Sequence, residues 1–240
     1  MVALKFIKFD ELSSTNDYLR RKLDAEEYDV INEKKQTNGR GKRGRVWISN
    51  EGSALFSFTV EYKEELLNRI TIFSSYIVYM VLKNFLNESN KDRLKFKWPN
   101  DIYYENKKIC GILCEKVRNN IIIGIGININ NTDFGIFKDK SISLFEITGN
   151  FEDVDEIIKD IVILFKEKIK TLNKDWEGII SLFNLNNYLK DKNIKIKIDG
   201  NFEEKMYKVS RIERNGKISI LGKGDLNEKE FESIEFEIFQ

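Results

Sequence analysis

Apolar and polar residues change period along the chain, and the changes mark out its elements. Residues 4–9 alternate apolar and basic side chains as a half-buried strand does. Ser13, Ser14, Thr15, Asn16 and Asp17 then supply helix-capping side chains ahead of Tyr18, Leu19 and Leu23, so the pattern predicts strand, turn, helix. Residues 28–32 and 53–60 read as strands. Apolar positions 66, 67, 70, 73, 77, 80, 81 and 85 form the stripe of a core helix over 66–86, despite many β-branched residues. A further strand ends at Trp98, Pro99-Asn100-Asp101 makes a corner, and Glu105-Asn106-Lys107 is a hairpin turn that would bring Asp101 and Lys108 together. Residues 121–131 are a buried strand in which Gly124 and Gly126 leave room for a ligand or another backbone. Helical spacing returns over 153–170 and 176–189. After Asp191 the period falls to two through 193–199, 206–211, 217–221 and 234–239, the pattern of a small β-barrel. These periods divide the chain into residues 1–187 and 188–240.

At 240 residues and 41% hydrophobic, the chain can bury a substantial core, and its 40 basic and 39 acidic residues leave a net charge of +1. No global field therefore draws it to DNA or an anionic membrane. The apolar run at 76–82 is far shorter than the roughly 20 residues of a membrane span, and no signal-peptide pattern opens the chain. A cytoplasmic protein without a membrane partner is expected. Cys110 and Cys114 are close in sequence and histidine is absent, which excludes a disulfide framework, a His/Cys zinc site and histidine-based triads. Catalysis would fall to charge, carboxylates, lysines or the substrate itself.

Against this neutral background, Asn38-Gly39-Arg40-Gly41-Lys42-Arg43-Gly44-Arg45-Val46-Trp47 concentrates four cations among three glycines and contains no acid. Such a loop approaches a polyanion closely, a nucleoside triphosphate for example; a solvated basic loop that touches RNA has the same composition. A P-loop is excluded, because Arg45-Val46 stands where the phosphate lysine and the Mg²⁺ hydroxyl would be needed. Likewise, Ser14, Thr15 and Asn16 serve either as a helix cap alone or as a helix start that presents hydroxyls and N–H groups to a ligand.

Taken in order, Ser13-Ser14-Thr15-Asn16, Gly39 to Trp47, Lys97-Trp98-Pro99-Asn100-Asp101, Lys108-Ile109-Cys110-Gly111-Ile112-Leu113 and Gly124-Ile125-Gly126-Ile127-Asn128 resemble the biotin protein ligases. The resemblance covers essentially the whole chain. It implies an α+β fold: a catalytic domain related to class II aminoacyl-tRNA synthetases, with a mixed sheet and flanking helices, followed by an SH3-like β-barrel. It also implies two reactions, activation of biotin by ATP with Mg²⁺ to biotinyl-5′-AMP, and transfer to a lysine of a biotin carboxyl carrier protein or domain. Family members that also repress transcription carry a winged helix-turn-helix before the first motif; here that motif begins at Ser13, and no operator binding is expected. A monomer and a homodimer remain equally open.

By matched position, the resemblance assigns Ser14, Thr15, Asn16, Gln36, Gly39, Arg40, Gly41, Lys42, Lys108 and Gly111 to biotin, with Trp98, Ile112 and Leu113 as apolar walls. Arg40, Arg43, Arg45, Trp47, Asn100 and Asn128 would face ATP or the adenylate. Arg40, Lys108 and Asp101 would be catalytic, Asp101 holding Mg²⁺ or steering the acceptor lysine. Lys42 stands where arginine is usual, and Cys110, where a small residue such as alanine is usual, is read as packing. Two rival functions remain: a lipoate or octanoyl ligase on the related fold, and an RNA-binding module that uses the basic loop and the barrel.

Overall fold

The computed structural model describes residues 4–22, 26–48, 50–67, 69–198 and 200–239. Leu23 and Asp199, at the ends of two expected elements, lie outside them. Among the described residues, seven strands form one mixed sheet in the order β1-β2-β3-β7-β6-β5-β4: β1 (Phe6–Leu12), β2 (Val30–Gln36), β3 (Ser53–Glu61), β4 (Leu94–Lys97), β5 (Asp101–Tyr104), β6 (Lys107–Val117) and β7 (Asn120–Asn128). β1 runs parallel to β2, and every other pairing is antiparallel.

The two faces of this sheet are covered unequally. One side packs on α2 (Ile70–Asn84), α5 (Val154–Lys168) and α6 (Leu172–Leu185). Phe56 and Phe58 of β3 point there, and Phe165 of α5 sits edge-on to Phe58, with ring centres 5.0 Å apart. The opposite side is covered mainly by α1 (Thr15–Arg21), over a small cluster of Leu19, Ile31 and Ile122. Among the described residues, the rest of that side carries no helix with comparable contacts to the sheet. Two short helices, α3 (Glu88–Lys91) and α4 (Leu144–Thr148), complete the set; Ser143 and Glu146 form a capping box at the start of α4.

A second, antiparallel sheet of SH3-like form follows: β8 (Asn193–Ile198), β9 (Asn201–Phe202), β10 (Tyr207–Ile212), β11 (Ile218–Gly222), β12 (Lys229–Phe231) and β13 (Glu235–Phe239). Its turn at residues 213–216 is gripped by the corner after β4 and by α6. Trp98 Nε1 donates to Gly216 O at 2.9 Å, and Trp176 Nε1 donates to Arg214 O at 2.7 Å. Asn184 exchanges two hydrogen bonds with the backbone of Ile212. No helix among the described residues is long and apolar enough to cross a membrane.

Three expectations shift. The helix expected over 66–86 is a 3₁₀ turn at Glu64–Leu66 followed by α2, and that expected over 176–189 is α6, which starts and ends earlier. α6 stops because Asn186 and Tyr188 leave to hydrogen-bond Phe96 of β4. The strand expected at 28–32 begins at Val30, after Tyr28 turns with φ 64°.

One buried group is chemically exposed to pH. Both carboxyl oxygens of Glu33 on β2 are buried without a hydrogen-bond partner. Burial pushes its pKa up to about 8, more than the nearby backbone of Leu12 and Thr15 lowers it. A carboxyl whose folded pKa is raised holds its proton more tightly in the folded state, so stability is full below the unfolded value and is lost as pH rises to about 8. Glu33→Gln is expected to remove this loss, worth at most about 1.4 kcal/mol per pH unit. Urea unfolding at pH 5 and pH 8 checks it: a variant-minus-wild-type difference that does not grow with pH contradicts the assignment.

Candidate active site

The start of α1 forms one wall of a cavity of about 600 Å³ on the lightly covered side of the sheet. Ser14 caps the helix, its Oγ accepting from Asp17 N at 3.4 Å. Thr15 Oγ1 lies 2.6 Å from Ser57 Oγ, which donates to Asn16 Oδ1 at 2.6 Å. Asn16 Nδ2 donates onward to Glu115 Oε2 at 2.8 Å and Leu113 O at 3.4 Å. The wall is thereby fixed by side chains from α1, β3 and β6.

The floor is bare backbone. A Cβ at Gly124 would collide with Asn16 Oδ1, and one at Gly126 would stand 2.7 Å from the Trp47 ring. At Gly111 it would meet Trp47 at 2.9 Å and Lys108 Nζ at 3.0 Å. Missing side chains on β6 and β7 thus make the seat for an indole and a carboxamide.

The basic loop folds back over this floor. Trp47 N donates to Gly39 O at 2.9 Å, Gly41 N to Arg45 O at 2.7 Å, and the tip turns through Arg43 and Gly44 with φ of 61° and 73°. Gly44 suits that turn because it has no Cβ. Five cations line the cavity, Arg40, Lys42, Arg45, Lys108 and Lys140, and Asp101 is the one carboxylate among the described lining residues. Asp101 Oδ1 meets Lys108 Nζ at 2.7 Å, so the hairpin brings the two together as expected. Burial, then the neighbouring Arg43, lowers the pKa of Lys42. Two buried donors, Arg40 Nε and Trp47 Nε1, have no partner. A surplus of positive charge with unpaired N–H groups suits an anion that also carries carbonyl-like acceptors.

Of the residues expected at the site, Ser14, Thr15, Asn16, Gln36, Arg40, Gly41, Lys42, Arg45, Trp47, Asn100, Asp101, Lys108, Gly111 and Asn128 line this one cavity, with Ile112 and Leu113. Three do not. Gly39 is buried at the loop base, where its carbonyl serves Trp47. Arg43 reaches away to Ser233 Oγ at 2.7 Å and Glu235 at 3.8 Å on the second sheet. Trp98 turns into the core side and the joint between the sheets. Asn100 and Asn128 line the cavity but spend their amides on backbone, Asn100 Nδ2 on Ile112 O at 2.8 Å and Asn128 Nδ2 on Ile142 O at 3.2 Å.

Sequence reasoning missed Tyr103 and the segment that carries Phe134, Ile136, Phe137, Lys140 and Ser141 along the opposite rim. The Ser143-to-Glu146 capping box was a readable sign of a helix just beyond it. Nothing local marked Glu115, which joins the site only through contacts across the sheet.

Residues 8–130 match the Biotin/lipoate A/B protein ligase family. The chain belongs to this family. Within it, the chain is 32% identical over 175 residues to the bifunctional ligase/repressor BirA of Bacillus subtilis, across 68% of this chain and 53% of that protein. It is 32% identical over 123 residues to BirA of Escherichia coli, across 49% of this chain and 38% of that protein. The chain therefore spans about half or less of these curated relatives. Biotin protein ligase from Aquifex aeolicus, solved in complex with biotin and ATP, superposes with a TM-score of 0.82 at 25% identity, covering 98% of this chain and 99% of that one.

Gly124→Ala tests the floor. The methyl group must displace the Asn16 carboxamide, which is held by Ser57, Glu115 and Leu113, so a loss of about 1–3 kcal/mol is expected. Urea denaturation measures it; unchanged stability would mean that Asn16 yields freely.

Proposed function

We propose that this chain is an ATP-dependent ligase that converts biotin to biotinyl-5′-AMP and passes the biotinyl group to a lysine of a biotin carboxyl carrier protein or domain. The observation that carries this reading is the concentration of Lys42, Arg45, Lys108 and Lys140, with the unpaired indole N–H of Trp47, over a glycine floor, beside a helix start rich in hydroxyls. Membership of the family and the likeness to a ligase solved with biotin and ATP support it. The chemistry falls to residues 1–187, and residues 188–240 act as a supporting SH3-like domain.

In the first step a biotin carboxylate oxygen attacks the α-phosphorus of ATP, an O–P bond forms, and the bond to the bridging oxygen breaks as pyrophosphate leaves. Two unit negative charges 4 Å apart repel by about 4 kcal/mol at an effective dielectric of 20, so cations must stand between them. Lys108 and Lys42 are assigned to the carboxylate and α-phosphate, and Arg45 to the phosphate tail. Ser14, Thr15, Asn16, Gln36, Gly41 and Gly111 would hold the biotin head. Trp47 and the apolar rim of Phe134 and Phe137 would flank the adenylate and keep water from the mixed anhydride. In the second step the acceptor's neutral ε-amine attacks the acyl carbon, an amide forms, AMP leaves, and the surplus ammonium proton passes to solvent.

Mg²⁺ would partner the phosphates. Asp101 is a single carboxylate already paired with Lys108, and no cluster of three Asp, Glu, Cys or His side chains that could hold a metal occurs among the described residues. The chain alone thus makes no metal cage, but one carboxylate suits an ion that arrives with phosphates and water. Asp101 is equally placed to orient the incoming amine.

Calorimetric titration with biotin and, separately, lipoate, followed by ATP with Mg²⁺ and mass analysis, tests the reading. Biotin binding and a biotinyl-adenylate are expected; a lipoyl-adenylate instead would transfer the reading to lipoate, and the absence of any adenylate would end it. Lys108→Ala is expected to slow pyrophosphate release by about 100-fold or more, the scale of losing one preorganised charged donor. A near-normal rate in that variant would overturn its assignment. Lys42→Arg is expected to slow escape of biotinyl-AMP, because a guanidinium holds phosphate through two parallel hydrogen bonds where an ammonium holds it through one point. Equal release rates would remove that role from Lys42.

A further inference from the structure

Four charged side chains close a ring beside the cavity. Arg40 Nη2 meets Asp17 Oδ1 at 2.6 Å and Glu115 Oε2 at 3.3 Å. Arg20 Nη2 meets the other Glu115 oxygen at 2.6 Å, and its Nε stands 3.8 Å from Asp17 Oδ1. Cations and anions alternate, so each carboxylate touches both arginines. The Asp17 and Glu115 side chains are only 20% exposed, which screens this network less than an ordinary surface pair.

The ring joins three elements. Asp17 and Arg20 belong to α1, Glu115 to β6, and Arg40 to the base of the basic loop, where it bridges Val46. α1 and β6 also hold the head of the cavity through Asn16. The loop carries four cations that repel one another, and the ring supplies two negative charges where the loop leaves its rigid supports. Arg40 points its Nη2 at those carboxylates, while Lys42, Arg45 and Lys108 line the cavity without such a double neutralisation.

We propose that Asp17 and Glu115 are positioning residues that hold the glycine loop closed over the cavity through Arg40, and that the Arg40 guanidinium is a strut of the loop, not a phosphate ligand. What the closed loop covers rests on the ligase reading. Glu115 has a second task, since it accepts from Asn16 Nδ2. A glutamine there keeps a neutral acceptor for Asn16 but loses the ionic ring, whereas alanine loses both. The two tasks are therefore separable.

The experiment compares the full chain with Asp17→Asn, Glu115→Gln, Glu115→Ala and the control Glu105→Gln, which alters only an exposed pair with Arg93 at 2.9 Å. Brief trypsin digestion of the ligand-free proteins, resolved by mass, follows cleavage after Lys42, Arg43 and Arg45; calorimetry gives the dissociation constant for biotin. Asp17→Asn and Glu115→Gln are expected to be cut in the loop at least about tenfold faster, the factor that corresponds to roughly 1.4 kcal/mol of closure. The control should match wild type. Glu115→Gln should keep biotin affinity within about threefold, because its amide oxygen still accepts from Asn16, while Glu115→Ala should lose more. Wild-type loop cleavage in both neutral variants overturns the proposal. So does equal acceleration at sites throughout the chain, which would indicate general unfolding. If wild type fails to bind biotin, the ligase reading falls, and the cleavage comparison, which needs no ligand, still decides the ring.

Discussion

The contact on which the rest of the site depends is the packing of Trp47 against strand backbone that has no side chains. Gly111 and Gly126 are neighbours across β6 and β7, and the indole lies on both. Any larger residue would lift the ring and with it the end of the basic loop, whose base is closed by Trp47 N on Gly39 O. Lys108 Nζ stands 5.1 Å from the same ring, so the apolar seat also locates a charge. Dispersion and shape at one point thus fix the electrostatics of the cavity.

This arrangement is open to the chain because the sheet is stabilised from its other side. Phe56, Phe58, Phe73, Phe96, Phe165 and Phe183 are fully buried in the large core against the helices. The opposite side needs only α1 and three buried apolar residues to anchor it, so glycines and polar groups are tolerated there. The capped start of α1, whose Thr15 and Asn16 bond inward to Ser57, closes the edge of that uncovered area.

Much of this was legible because it is local. The cap at Ser14, the hairpin turn after Tyr104 and the strand at 53–60 are written in a few adjacent residues, and the structure has each of them. The α6 boundary was not, since it is decided by Asn186 and Tyr188 bonding to Phe96, far earlier in the chain. Within the site, residue types gathered as expected, yet their partners did not follow from type. Arg40 and Arg43 look alike in the loop; one turns to Asp17 and Glu115, and the other to Ser233 and Glu235. Trp98 sits in a motif that lines the cavity at Asn100 and Asp101, but its own ring falls on the opposite side of the sheet. Which side a residue faces beyond a corner is set by the three-dimensional path, and sequence spacing does not carry it.

The chain's three tryptophans are divided between two places. Trp98 and Trp176 both anchor the turn at residues 213–216 of the second sheet, and Trp47 alone stands over the cavity with its N–H unpaired. The two groups of indoles therefore sit in different surroundings, one partly exposed and one buried. Replacing Trp47 by phenylalanine would leave emission only from the buried pair at the joint between the sheets, and the difference from wild type would isolate the environment of the indole over the cavity.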